Sequence, residues 1–174
     1  MLYSSFLLPV LLALSTSVAA APSTPTSTEF TFAQWIEDII ADPTGDHLSP
    51  EEAVAAKNAA VASNTLGKRI NCDQNWGRAN ANDAASCLSD LARKGAAGTR
   101  CVVGNDQFGV QMCRIGNAQV AASKSERSAQ GANCNDVART GGLVFDSCWR
   151  SDGTVKGSEI CVGNRLMQVN ILAP

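Results

Sequence analysis

The sequence predicts an α+β fold, a small disulfide-stabilised α/β sandwich in which two helices cover one face of an antiparallel sheet. Three observations carry that prediction. All seven cysteines of the 174-residue chain follow the dibasic pair Lys68-Arg69, whereas the one histidine, His47, and five of the six prolines precede it. The 105 residues from Ile70 to Pro174 suffice for one compact domain and not for two. Within them the apolar pattern reads short strand, helix, two strands, helix, two strands, an alternation that suits helices laid on a sheet of hairpins.

The cysteine partition also predicts a precursor in three pieces: a signal peptide (1–20), a pro-segment (21–69) and a mature cysteine-rich domain (70–174). Phe6 to Leu14 is an apolar run broken by Pro9 and followed by Ala19-Ala20-Ala21. It falls short of the roughly 20 residues that span a bilayer and matches the core of a secretory signal, so the product is expected to be secreted and extracellular, without stable membrane insertion. A basic pair preceded by Gly67 in a polar stretch is the substrate of a kexin-type processing protease, which is expected to cut after Arg69.

The pro-segment opens with a Pro/Ser/Thr tract that cannot build a core. Phe32, Trp35, Ile36, Ile39 and Ile40 then recur at helical spacing until Pro43 stops the pattern. A second helix starts on a capping box, with Ser49 as N-cap, Pro50 at the first helical position and Glu52 returning a bond to the cap. So short a helix gains little stability by itself, and its Trp/Ile stripe is expected to dock on the mature domain. Seven acids against three bases before the cut, and nine against eleven after it, make up the net charge of −2 and give the two parts opposite signs. That suits a pro-segment that shields or chaperones the mature part; the alternative is an inert spacer.

In the mature part, Ala84, Cys87, Leu88 and Leu91 share a helix face between a cap at Asn82 and a stop at Gly95. Thr99–Val103 and Gly109–Ile115 read as strands joined by the hairpin-like Gly104-Asn105-Asp106-Gln107. A second helix runs from about Asn133 to Cys148, with Cys134, Val137, Ala138, Gly141, Val144 or Phe145, and Cys148 on one face, and with its middle loosened by Gly141-Gly142. The segments Glu159–Val162 and Arg165–Ile171 flank a tight Gly163-Asn164 turn, with Met167, Val169 and Ile171 on one face. A repeated phrase, Cys101-Val102-Val103-Gly104-Asn105 and Cys161-Val162-Gly163-Asn164, hints at a split βαβ layout with pseudo-twofold symmetry.

With only Phe108, Phe145, Trp76 and Trp149 as aromatics, the mature core needs cystine. Cys72, Cys87, Cys101, Cys113, Cys134 and Cys148 are the disulfide candidates, in pairings that spacing does not choose, and Cys161, next to a hairpin already closed by local pairing, is the candidate free thiol. No cofactor and no metal are expected, since the cysteine gaps of 14, 13, 11, 20, 13 and 12 residues contain no C-x₂-C knuckle and no histidine follows the cut. Histidine triads and histidine-based ribonuclease chemistry fall away with His47, no carboxylate pair stands out among the nine acids, and no catalytic residue or enzyme activity is expected. Binding is the better expectation. Trp76 beside Gly77-Arg78, and Trp149 beside Arg150, could present indoles to a sugar or a protein, the alternative being that both cover the small core. Eleven scattered bases with no basic run argue against nucleic acid.

The precursor plan, Phe32-Ala33-Gln34-Trp35-Ile36 with His47-Leu48-Ser49-Pro50-Glu51-Glu52-Ala53, the dibasic cut, and then Asp83-Ala84-Ala85-Ser86-Cys87-Leu88 and Cys134-Asn135-Asp136-Val137-Ala138 resemble small cysteine-rich secreted proteins of filamentous fungi. That group includes plant-pathogen effectors and proteins similar to the killer toxins of smut fungi, whose fold is an α/β sandwich. The resemblance implies export, processing and a toxin-like or virulence role through an unknown protein or glycan target. The seventh cysteine departs from the usual even framework, so no disulfide map is carried over. The second functional expectation is a secreted carbohydrate-binding or inhibitor module of the same fold.

Overall fold

The computed structural model describes residues 29–60 and 70–174; the signal-peptide and cleavage expectations, Lys68 and Arg69 included, lie outside the described residues. Helix α1 (Phe32–Ala41) starts where the Thr31 hydroxyl accepts from the Gln34 N–H at 3.1 Å. It ends before Pro43, whose ring cannot continue it. Helix α2 (Pro50–Ala60) carries the expected capping box, Ser49 N–H donating to Glu52 Oε2 at 2.8 Å and Glu52 N–H to Ser49 Oγ at 3.2 Å.

The mature part begins with β1 (Ala79–Asn80) and α3 (Ala81–Ala96). The cap of α3 is Asn80, whose side chain accepts from Asp83 N–H, and not Asn82: the helix starts two residues earlier because Ala81 is itself buried. Next come β2 (Arg100–Val103), β3 (Gly109–Ile115), β4 (Ala118–Ser123), β5 (Gln130–Asn133) and α4 (Cys134–Cys148), then β6 (Trp149–Arg150), β7 (Thr154–Val155), β8 (Gly157–Cys161) and β9 (Asn164–Leu172). Four antiparallel strands in the order β3-β4-β9-β8 form the main sheet. Helix α3 packs on β3 and β4, and α4 on β8 and β9. Met167, Val169 and Ile171 of β9, with Val120 and Ala122 of β4, fill the layer beneath the helices and are fully buried. The fold is therefore α+β with two helices on an antiparallel sheet.

Several local expectations are corrected. β2 and β3 do not form a hairpin: β2 pairs with β5 in a separate two-stranded sheet, and β3 pairs with β4. The turn that closes the real hairpin is Gly116-Asn117, with Gly116 at φ +48°, a left-handed conformation that favours glycine. Cys101 and Cys113 thus lie in different sheets. In the last hairpin Asn164 already pairs with Cys161, so the turn residues are Val162-Gly163 rather than Gly163-Asn164. The layout does hold a helix with a hairpin twice (α3 with β3-β4, α4 with β8-β9), the two units meeting where β4 pairs with β9. The repeated Cys-Val phrase does not mark this repeated unit, since its copies fall in different sheets.

The expected docking of the Trp/Ile stripe adds a third layer. Helices α1 and α2 lie on α3 and α4, α1 against both and α2 against α3, so α3 and α4 are covered on two sides. That explains why both Val144 and Phe145 of α4 are buried. It also corrects the reading of Gly141-Gly142, where α4 runs on unbroken. A Cβ at Gly141 would strike the Leu88 side chain of α3, and one at Gly142 would meet the Ala33 and Phe32 backbone at 3.2 Å. The two glycines permit close approach on opposite sides instead of loosening the helix.

Candidate functional site

The most elaborate set of side-chain contacts in the molecule lies where α1 sits on α3 and α4. Ten residues are too few for a stable isolated helix, roughly 12–15 being the marginal length in water, so α1 depends on what it packs against. Phe32, Ile36 and Ile39 are fully buried and Trp35 nearly so, while Ile40 is only half-buried. The Phe32 ring stacks on Phe145 of α4 with centroids 3.7 Å apart, and Trp35 meets Phe32 edge-on at 5.6 Å. The Trp35 indole N–H donates to Leu48 O at 3.0 Å, tying α1 to the chain that leads into α2.

Polar anchors fix the helix in place. The Asp146 carboxylate accepts from the N–H groups of Phe32 and Ala33, both at 2.9 Å, and from Lys57 Nζ of α2 at 3.0 Å. A residue of α4 thus satisfies the free N–H groups at the start of α1, where the helix dipole favours an anion. One and a half turns on, Arg139 holds Glu37 in a two-pronged pair, Nε at 2.7 Å and Nη2 at 3.0 Å, while its Nη1 donates to Asp136 at 3.1 Å. The bonds to Glu37 raise the Arg139 pKa above its already high value. Arg93 of α3 donates to Pro43 O. The ion pairs run in both directions across the seam, so the opposite net charges of the two parts do not by themselves account for the docking.

Neither Asp146 nor Arg139 stood out in the sequence. The missed signal is that α4's apolar arc continues past the cysteine face through Phe145 to Gly142, Asp146 and Arg139, too wide a stripe for a helix covered on one side.

The candidate binding residues are placed differently from expectation. Arg78 is engaged, donating through Nε to Thr154 Oγ1 at 2.6 Å and through Nη2 to Cys148 O at 2.9 Å, so it staples β7 to the end of α4. Burial lowers its pKa, with a further lowering from the neighbouring Arg150. Trp149 is half-buried at the C-cap of α4, its indole nitrogen shielded from solvent without a hydrogen-bond partner. Arg150 is exposed and pairs loosely with Asp152 at 3.7 Å. The small sheet β1-β7-β6 brings Arg78, Trp149 and Arg150 together. Trp76 stands apart from them by contact, exposed, with its carbonyl 3.5 Å from Lys156 Nζ. No indole with a free arginine beside it results.

The cysteines pair as Cys72–Cys148, Cys87–Cys113 and Cys101–Cys134, and Cys161 carries the free thiol among the described residues. The bridges tie the mature N-terminus to the end of α4, α3 to β3, and β2 to the start of α4. Cys161 is buried beside Thr140, and burial raises its pKa. Among the described residues no three His, Cys, Asp or Glu side chains cluster as metal ligands, and no helix is long and apolar enough to cross a membrane. His47 lies in the pro-segment, its Nε2 2.6 Å from Asp42 O.

Comparison with known proteins adds one assignment. No curated protein and no solved structure matches the chain. A family model does, over a stretch that opens one residue before the dibasic pair and leaves out α1 and α2: across residues 67–173 the chain belongs to the family described as "Domain of unknown function (DUF8794)".

Proposed function

We propose that the chain is the precursor of a secreted, non-enzymatic effector- or toxin-like protein that acts by binding a target outside the producing cell, and that the pro-segment keeps its binding face covered until a kexin-type protease cuts after Arg69. The observation that carries this reading is the docking of α1: Phe32, Trp35, Ile36 and Ile39 hide an apolar helical face through a segment joined to the mature domain by the stretch that contains Lys68-Arg69. The family match, which starts at Gly67, supports the mature domain as the unit held in common. Three disulfides are compatible with an oxidising, extracellular setting. The resemblance to small secreted fungal proteins supplies the toxin- or effector-like role.

The test compares secreted wild-type protein with an Arg69→Ala chain that cannot be cut. Intact mass should show wild type beginning at Ile70, and only that form should cause host-cell necrosis or growth inhibition of a competitor. Equal activity of the uncut chain, or a secreted product that keeps residues before Ile70, contradicts the reading. Glycan-array binding that depends on Trp76, without toxicity, would favour the carbohydrate-binding module instead.

A further inference from the structure

We infer that the face of α3 and α4 beneath α1 is the partner-binding site of the mature domain, and that its partner is an amphipathic helix of another protein carrying the chemistry that α1 carries; the inference rests on the processing reading above. The face itself specifies such a ligand. Gly142 lets a backbone come within van der Waals reach of α4, as Ala33 and Phe32 do. The Asp146 carboxylate takes two adjacent N–H groups at 2.9 Å, a pair that the first turn of a helix leaves free and that a strand or loop does not offer in this geometry. Phe145 takes an aromatic ring at that same first turn. Arg139 takes a carboxylate five residues further on. Together these read a helix start, an aromatic at its first position and an acid five residues later, and the helix that meets them here adds Trp35, Ile36 and Ile39 as its buried apolar stripe.

Detachment leaves this face in need of an occupant. Without the pro-segment, Asp146 loses all three of its hydrogen-bond donors and Phe145 loses its stacked ring. Water can replace the donors of Asp146, but the Phe145 ring and the apolar surface around it are costly to leave bare. Helix α1 is too short to persist alone, so its hold weakens once the tether is cut and binding becomes bimolecular. A cleft of about 330 Å³ runs beside the seam, between Ala33, Gln34 and Glu37 on one side and Arg139, Leu143 and Val162 on the other. Helix α1 is in this account a placeholder that mimics the partner.

The test uses the full chain, folded and then cut at Arg69 by a kexin-type protease. Two fluorescent peptides are titrated by anisotropy: residues 30–42, and a designed helix of unrelated sequence that keeps only the two aromatics, the two isoleucines and the acid. Both should bind the cut chain saturably, compete with each other and ignore the uncut chain. Lysine in place of the acid should weaken binding about tenfold or more, and in an Arg139→Glu chain the order of the acid and lysine peptides should reverse. Should that variant not fold, alanine in place of both aromatics, tested on the wild-type cut chain, should abolish binding. The inference is overturned if the designed helix does not bind, if acid and lysine peptides bind alike, or if residues 29–60 stay on the cut chain without exchange. Failure of the processing reading shows separately, as a secreted mass that includes the pro-segment, and leaves the peptide result on the enzymatically cut chain standing.

Discussion

The two faces of helix α4 are built by different means. Toward the sheet it meets Val144-type apolar packing and is held at both ends by cystine, Cys134 to Cys101 and Cys148 to Cys72. Toward the pro-segment it offers Phe145, Gly142 and two charged anchors, Asp146 and Arg139, with no covalent link among the described residues. Adjacent glycines report on each: Gly141 faces Leu88 of α3, Gly142 faces the backbone of α1. The lesson is that one interface is stapled as a permanent core, while the other rests on contacts that can be exchanged. The α1 seam also buries Phe32, Ile36 and Ile39, but it adds hydrogen-bonded charges at its edges, which remain soluble groups when uncovered, and no covalent link.

Substitutions on the two sides should separate these interfaces. The largest effect is expected inside the mature domain: Cys101→Ala with Cys134→Ala should lower stability to denaturant by about 2–5 kcal/mol, the usual consequence of losing a native bridge. On the other side, Asp146→Ala strands Lys57 and two helix N–H groups, and should weaken docking by about 3 kcal/mol, read as faster hydrogen exchange in α1 and α2 with β4 and β9 unchanged. Cys161→Ala removes one buried atom's worth of packing and should cost about 1 kcal/mol, well below any bridge.

The smallest effect is a matter of pH. Hydrogen bonds from Ser49 hold the exposed Glu52 carboxyl below its ordinary range. A depressed carboxyl contributes stability above its unfolded-state pKa and loses it as pH falls through the folded one. The start of α2 should therefore fray in acid, and Glu52→Gln should flatten that dependence in the exchange of Ala53 and Val54 amides.

How much of this was legible in the sequence varied with the range of the signal. Local patterns served well: the Ser49-Glu52 box, the α1 stripe, the helix from Cys134 to Cys148 and the Met167-Val169-Ile171 face all depend on neighbours within a turn or two. Pairing over long distances did not. Strand β4, Ala118-Gln119-Val120-Ala121-Ala122-Ser123, is alanine-rich and poor in β-formers, and it is a strand because β3 and β9 flank it. Gly104-Asn105-Asp106-Gln107 has hairpin chemistry, yet β2 finds its partner about 30 residues on, which no turn rule anticipates. The seam was half legible. The stripe on α1 announced that it must dock, but Asp146 looked like any helix acid, because its three donors come from residues 89 to 114 positions away.

Whether the docking of α1 is separable from the stability of the domain beneath it is tested most directly by Gly142→Ala. The added Cβ would press on the Ala33 and Phe32 backbone at 3.2 Å while adding helix propensity to α4. Hydrogen exchange on the full chain should then show α1 amides losing protection, with those of β4 and β9 as slow as in wild type, whereas Gly141→Ala, pressing on Leu88, should loosen the sheet and helices together. If Gly142→Ala left α1 protected, or released α1 and the sheet in a single step, the pro-segment would be part of one indivisible core and the claim of a detachable cover would be wrong.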